Sequence, residues 1–210
     1  MYDTRIQKGS GVHKVLVICG SVRPTRICTD IARWVMQGLP PDGALELELV
    51  ELADWPLPMD DEPGVPARDP YVHAHTQAWS RKISEAAAYV FVTPQYNWGY
   101  PAALKNALDH LYREWSGKPA IIVTYGFHGG GKCAAQLRQV LNGLHMRPVK
   151  TMPALRLPEA MKHGASIDVV LKAFAPAKSS VEKAFAELAA TLASAARAQS
   201  RWRWFRWKGR

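Results

Sequence analysis

Short runs of apolar, largely β-branched residues recur along the chain. Three of them are continuous, at residues 15–19, 89–93 and 120–124, and such runs are typical of strands covered on both faces of a sheet. Residues 45–49 alternate leucine with glutamate, which predicts a strand exposed on one face. Residues 148–157 are a weaker candidate for a fifth strand.

Amphipathic helices are predicted between these strands. Apolar residues recur at helical spacing in segments that begin near residues 27, 71, 101, 137 and 179, and the second segment extends to about residue 88. Buried strands that alternate with such helices predict an α/β, flavodoxin-like fold, with a five-stranded parallel sheet and helices on both faces. Ligands of these sheets bind beyond the carboxyl ends of the strands, where the strand order reverses.

Composition and charge indicate an ordinary folded domain rather than a nucleic-acid-binding one. A chain of 210 residues with 48% hydrophobic and 21% charged residues is ordinary for one folded domain. The net charge is +9, but five cations lie in the last ten residues, which leaves 22 cations against 18 anions in residues 1–200. This balance does not indicate nucleic-acid binding by the folded body. The three cysteines have no metal-ligand spacing and form no CxxC pair, which indicates neither a zinc module nor a disulfide scaffold. We therefore expect a reducing, cytoplasmic location.

The chain divides into three predicted segments. Residues 1–13 are expected to be a flexible N-terminal segment without a secretory signal, and residues 14–199 form the folded domain. Residues 200–210 alternate cations with aromatic residues. We expect this tail to be disordered, and the other interpretation is that it binds an anionic membrane or nucleic acid.

The first loop, residues 20–26, leaves a predicted strand and enters a helix. Backbone N–H groups at a helix start favour an anion, and Ser21, Arg23 and Arg26 add a hydroxyl and two guanidinium groups. The loop therefore indicates a phosphate site. The alternative is a tight turn with solvated arginines. The loop lacks the GxGxxG spacing, which disfavours a dinucleotide-binding Rossmann site.

The second loop, residues 94–101, is rich in aromatic residues. It carries Tyr96, Trp98 and Tyr100 around Asn97, between two prolines. A stiff wall of aromatic and amide groups suits a flat heteroaromatic ring. Exposed aromatic residues also anchor subunit interfaces, so a dimer contact is the second interpretation.

The third loop, residues 126–133, nearly matches the GxxxxGK[ST] phosphate loop. Its last position is Cys133, which is a poor ligand for Mg²⁺, and no acidic partner follows at a later strand end. A nucleotidase is therefore disfavoured. We expect the glycines of the loop to let the backbone approach a ring edge.

Taken together, the loops resemble a known family. The resemblance rests on Gly20-Ser21-Val22-Arg23, on residues 91–106 (FVTPQYNWGYPAALKN), on residues 117–119 (GKP) and on Tyr125-Gly126. These segments are similar to the NADPH-dependent FMN reductase family, and within it to the fungal flavin-dependent NAD(P)H:quinone reductases. The resemblance covers about residues 14–155.

The resemblance implies non-covalently bound FMN in a flavodoxin-like homodimer or homotetramer. It assigns the FMN phosphate to Ser21, Arg23 and Arg26, although much of the wider family has serine at the position of Arg26. It assigns the isoalloxazine ring to Pro94, Gln95, Tyr96 and Asn97, with Tyr125 and Gly126 at its other edge.

The implied activity is NAD(P)H-dependent reduction of quinones or free flavin, with NADPH or NADH as donor. We expect ping-pong hydride transfer, in which donor and acceptor use the same place in turn. Because the flavin carries the chemistry, no catalytic acid or base is predicted. His128 is a candidate substrate contact or a solvent-facing loop residue. The alternative function is a redox-gated flavoprotein module that binds and regulates a protein partner.

Overall fold

The apolar runs form the centre of a parallel sheet. The computed structural model describes residues 12–41, 43–59 and 61–208. Its strands are β1 (His13–Cys19), β2 (Leu45–Glu51), β3 (Ala88–Pro94), β4 (Pro119–Gly126), β5 (Arg147–Pro148) and β6 (Ala154–Arg156). The order is β2-β1-β3-β4-β5, β6 also pairs with β4, and every pair is parallel.

Helices follow the strands and cover both faces of the sheet. They are α1 (Cys28–Met36), α2 (Ala74–Ser84), α3 (Ala102–Asp109), α4 (Gly131–Gly143), α5 (Ile167–Ala173) and α6 (Lys178–Lys208). Leu16 and Ile18 of β1 pack in the apolar layer of α2, α3 and α4, whereas Val15 and Val17 pack in the layer of α1, α5 and α6. Both faces of the sheet are therefore buried, as the continuous apolar runs predict.

The predicted fold class is confirmed, and two segments differ from the prediction. Residues 148–157 form two short strands, β5 and β6, rather than one, so the sheet has six strands. The second predicted helix is shorter than residues 71–88. It begins at Ala74, because the backbone of His73, the N-cap, is extended (φ −84°, ψ 139°), and the carboxylate of Glu62 accepts the N–H groups of Val72 and His73 (3.0 and 3.1 Å).

The predicted terminal segments are described in part. Residues 1–11 of the N-terminal segment lie outside the described residues, and β1 begins at His13. Helix α6 continues to Lys208, so the predicted boundary at residue 200 does not coincide with a helix end. Within the described ranges, no helix combines the length and apolar character needed to span a bilayer.

The backbone conformation of the third loop requires glycine at two positions. Gly129 and Gly130 have φ of 76° and 85°, in the left-handed region that other residues seldom adopt. A Cβ on Gly130 would lie 2.7 Å from Cβ of Thr124, and the Thr124 hydroxyl donates to the Gly129 carbonyl (3.0 Å). These two glycines therefore let the loop pack against β4, and the predicted approach of the loop to a ring edge stays a prediction.

Candidate functional site

Three neighbouring strands end at the same edge of the sheet. Cys19 of β1 is in register with Val92 of β3, which is in register with Val123 of β4. The first, second and third loops follow these three strands directly. β2, the next strand in the chain, lies on one side of β1, whereas β3 pairs with the opposite side of β1. The strand order therefore reverses between β1 and β3, where ligands of such sheets bind.

Tyr96 joins the second loop to the first. Its hydroxyl lies 3.0 Å from Oγ of Ser21, a side chain that is 1% exposed. The guanidinium carbon of Arg23 lies 4.0 Å from the centroid of the Tyr96 ring, within the range of a cation–π contact. The structure thus brings Ser21 and Arg23, which are predicted to bind the phosphate, into contact with Tyr96, which is predicted to bind the ring.

The second loop contains a tight two-residue turn. The N–H groups of Tyr96 and Gly99 each donate to the other residue's carbonyl at 2.9 Å. Asn97 and Trp98 between them have φ of 47° and 72°, as in the type I′ turns of hairpins. A positive φ is rare for a residue as bulky as tryptophan, and strained positions of this kind cluster at functional sites.

The tip of this turn contacts α4. Trp98 is 63% exposed, and Nζ of Lys132 lies 3.9 Å from the centroid of its ring. Sγ of Cys133, which is buried, donates to the Pro94 carbonyl at 3.6 Å. Lys132 and Cys133 therefore contact the second loop, which supports rejecting the phosphate-loop interpretation of the third loop.

Gln95 joins the second loop to the third. Its N–H donates to the Tyr125 carbonyl at 2.9 Å, and its Oε1 accepts the N–H of Cys133 at 3.1 Å. Tyr125 is buried, and burial raises the pKa of its hydroxyl. Gly126 packs beside Gln95, since a Cβ at Gly126 would lie 3.6 Å from Cβ of Gln95. His128 is exposed in the third loop.

Arg26 differs from the other predicted phosphate residues. Its Nε and Nη2 donate to Oε2 of Glu51 at 2.9 and 2.5 Å, and its Nη1 donates to the Arg23 carbonyl at 3.2 Å. Arg26 therefore ties the first loop to the end of β2. Glu51 is missing from the predicted site, although an acid at the end of a strand beside an arginine-rich loop is a recognisable signal.

The Glu51 carboxylate is held in its charged form. Burial raises its pKa, but hydrogen bonds from the Thr29 hydroxyl (2.7 Å) and from Arg26 outweigh this effect. The net result is a pKa below the ordinary 4.5. The carboxylate is consequently an ionised anchor for the first loop at neutral pH.

A cavity of about 490 Å³ lies elsewhere in the fold, between α1, α5 and α6. Trp34, Gln37, Leu171 and Val181 are among its lining residues. None of the predicted site residues lines it. The strand-end loops and this cavity are therefore two separate locations.

Comparison with known proteins places the chain among flavodoxin-like oxidoreductases. Residues 13–156 match the model of the family described as NADPH-dependent FMN reductase. An NAD(P)H-dependent FMN reductase of Schizosaccharomyces pombe is 52% identical over 176 residues, which are 83% of this chain and 88% of that protein. A quinone reductase of Pseudomonas putida is 34% identical over 75% of this chain and 81% of that protein. The protein belongs to the NADPH-dependent FMN reductase family and is an oxidoreductase.

A solved structure supports the fold independently. The flavoenzyme FerB, an NAD(P)H:(acceptor) oxidoreductase from Paracoccus denitrificans, superposes with a TM-score of 0.57 at 22% identity. The superposition covers 82% of this chain and 99% of FerB. This similarity confirms the flavodoxin-like sheet.

The residues at the strand ends fit FMN, the cofactor of this family. Helix α1 has no side-chain cap at Ile27, its N-cap, so its first turn offers backbone donors to an anion. Arg23 is exposed beside it, and the Ser21 hydroxyl faces the Tyr96 hydroxyl. The turn at Asn97 and the partly exposed Gly126 border the same edge of the sheet. The groups that are predicted to bind the phosphate and the ring are thus adjacent.

Replacing Glu51 by Gln tests the anchor of the first loop. We expect Glu51→Gln to lower the free energy of unfolding by about 1–3 kcal/mol at pH 7, because charge-assisted hydrogen bonds to Arg26 are lost. A depressed pKa stabilises the folded state above the ordinary value and loses this effect as the pH falls through the folded pKa. The difference from wild type should therefore shrink below the ordinary value of 4.5, as measured by urea unfolding.

Glu46→Gln is the matched control, since Glu46 lies on the same strand and is exposed. It should unfold like wild type at every pH. A Glu51→Gln protein whose stability equals wild type at pH 7 would show that the Arg26–Glu51 contact does not hold the loop.

Proposed function

We propose that the protein is an FMN-dependent NAD(P)H oxidoreductase that reduces quinones or free flavin. The observation that carries the proposal is the joining of the three strand-end loops through Tyr96 and Gln95. Family membership over residues 13–156 supports the same cofactor and donor. The name of the Pseudomonas putida relative supports a quinone as one acceptor.

The phosphate of FMN is proposed to bind at the first loop. Ser21 offers a hydroxyl, Arg23 offers an exposed guanidinium, and the uncapped start of α1 offers N–H groups. Each of these groups is a donor that favours a dianion. Arg26 supports the phosphate site indirectly, because its guanidinium is hydrogen-bonded to Glu51 and to the Arg23 carbonyl. Arg26 thus positions the loop on which Arg23 stands.

The isoalloxazine ring is proposed to lie against the second loop. Pro94, Gln95, Tyr96 and Asn97 form one side of the site, and Tyr125 with Gly126 forms the other edge. The hydrogen bond of Gln95 to the Tyr125 carbonyl fixes the separation of these two walls. Bound FMN would supply the redox chemistry by accepting a hydride and returning electrons. The protein's own residues therefore bind and orient, and no side chain is assigned as acid or base.

Donor and acceptor are proposed to use the same place in turn, which is ping-pong turnover. The exposed turn at Asn97 and Trp98 leaves the ring-binding edge open to solvent. His128 is exposed in the neighbouring third loop, where its imidazole would contact a quinone oxygen. Either NADPH or NADH serves as donor in this proposal.

The proposed assembly is a homodimer or homotetramer. An apolar groove of about 370 Å³ lies beside the first loop, between Leu52, Trp55 and α3. Val22 and Met59 line it and are 43% and 65% exposed. Exposed apolar residues around a groove are typical of subunit interfaces.

The three cysteines are buried and free, which suits the reducing cytoplasm. Binding of anionic partners by residues 200–210 and the redox-gated module both stay predictions.

Replacing Arg23 by Ala tests the phosphate site. We expect Arg23→Ala to weaken FMN binding by about 1.5–3 kcal/mol, or roughly tenfold to a hundredfold, because a charged hydrogen bond is lost. Arg23→Lys keeps the charge without the forked donor and should give an intermediate dissociation constant. Titration of the FMN-free protein, followed by quenching of flavin fluorescence, measures these constants.

Arg33→Ala provides the control, because Arg33 is an exposed arginine of α1 outside the first loop. It should bind FMN like wild type. An Arg23→Ala protein with wild-type affinity would place the phosphate elsewhere.

The proposed order of substrates is tested by separating the two half-reactions. Under anaerobic conditions, stoichiometric NADPH should bleach the flavin absorbance of the purified protein with no quinone present, because donor and acceptor never bind together. Added quinone should then restore the absorbance. Stopped-flow spectroscopy measures both steps. Flavin that is reduced only when quinone is also present would exclude the ping-pong order.

A further inference from the structure

A cluster of histidine and carboxylate side chains lies apart from the strand-end loops. It consists of Asp61, in the segment between β2 and α2, His75 of α2, and His110, which ends α3. One ligand atom from each residue lies within 4.8 Å of the other two. The hydrogen bonds described for these three side chains involve none of the residues to which FMN is assigned. Residues from three separate elements thus converge with atoms that bind metals.

The hydrogen bond of His110 to a backbone carbonyl leaves one ring nitrogen to bind a cation. His110 is 5% exposed, and its Nε2 lies 2.8 Å from the Pro58 carbonyl. A carbonyl accepts but cannot donate, so Nε2 is the donor in this contact and Nδ1 is the ring nitrogen left to bind a metal. A backbone carbonyl on the far ring nitrogen is the usual partner of a metal-binding histidine. The Thr76 hydroxyl now lies 3.2 Å from Nδ1 and also reaches the Glu62 carboxylate, to which it can turn.

Asp61 and His75 are already in contact. Nε2 of His75 lies 2.9 Å from Oδ2 and 3.2 Å from Oδ1 of Asp61. Nε2 of His73 lies 2.9 Å from the Asp61 carbonyl, so its N–H holds the backbone of Asp61, and its ring stacks on His75 at 5.3 Å. A cation would replace the proton shared between His75 and Asp61. The carbonyls of Pro58 and Asp61 thus hold the rings of His110 and His73, and a cation at the cluster would also displace the Thr76 hydroxyl from Nδ1 of His110.

Space and charge beside the cluster suit a cation. A cavity of about 130 Å³ is lined by Asp61, His110, Glu62, Asn106 and Asp109, among others. Of its three carboxylates, that of Asp109 pairs with Lys105 and that of Glu62 accepts two backbone N–H groups, so Asp61 is the one that faces the two imidazoles. A water molecule takes about 30 Å³, so an ion and its bound water fit. Asp61 and His75 are 26% and 27% exposed, which leaves a path from solvent.

We propose that Asp61, His75 and His110 form a binding site for Zn²⁺. Two imidazole nitrogens and one carboxylate oxygen are a common zinc set, and water fills the fourth tetrahedral position. In such a site the ligand atoms lie about 3.3 Å apart, so a small closure of the present cluster suffices. The ion would fasten the segment after β2 onto α2 and α3.

Zinc binding is measured on the FMN-loaded protein without a polyhistidine tag. Equilibrium dialysis against micromolar ZnCl₂ should give one zinc per chain. Asp61→Asn and His75→Gln should each raise the dissociation constant at least about tenfold, since each removes one ligand. His163→Gln is the control, because His163 is exposed at the end of another helical turn, outside the cluster. It should bind zinc like wild type.

Two further measurements keep a folding defect separate from a lost ligand. Zinc at about 100 times its dissociation constant should raise the melting temperature of wild type by roughly 5–10 °C, and should raise that of His75→Gln much less. Co²⁺ in place of zinc should give the visible bands of a four-coordinate site without a thiolate charge-transfer band. No zinc at micromolar concentration, equal affinity in His75→Gln and His163→Gln, or a thiolate band would overturn the proposal.

Discussion

The contacts of Tyr96 hold the candidate site in one arrangement. The guanidinium of Arg23 lies over its ring and its hydroxyl lies 3.0 Å from Oγ of Ser21, so Tyr96 links the first loop to the second. The second loop is in turn bonded to the third through Gln95. These contacts form because β1, β3 and β4 are parallel neighbours in register, which delivers all three loops to one edge. The sheet determines where the loops meet, and a few polar contacts determine their shape.

Much of the fold was predictable because the apolar runs encode burial on both faces. Leu16 and Val17 fall on opposite faces of β1, and each packs in its own apolar layer. Helix ends were less predictable, because long-range contacts set them. Before α2 the chain is still extended at His73, and the N–H groups of Val72 and His73 are bonded to Glu62, which lies 12 residues before Ala74 in the chain.

The candidate site was predictable as a set of loops and less so as a set of contacts. Motif resemblance selected Arg23, Arg26 and Tyr96 without revealing that Arg26 is bonded to Glu51. That pairing needs the parallel pairing of β1 with β2, which places Glu51 opposite Cys19 at the strand ends. The Asp61 cluster was missed for the same reason, since its members come from three elements that sequence spacing does not connect.

The central claim is that the loops after β1, β3 and β4 together bind one FMN molecule. A crystal structure of the protein saturated with FMN tests it directly. The phosphate should lie beside Ser21 and Arg23, and the ring should lie against Pro94–Asn97 and face Tyr125. Flavin density in the cavity between α1, α5 and α6, with the strand-end loops vacant, would contradict the claim.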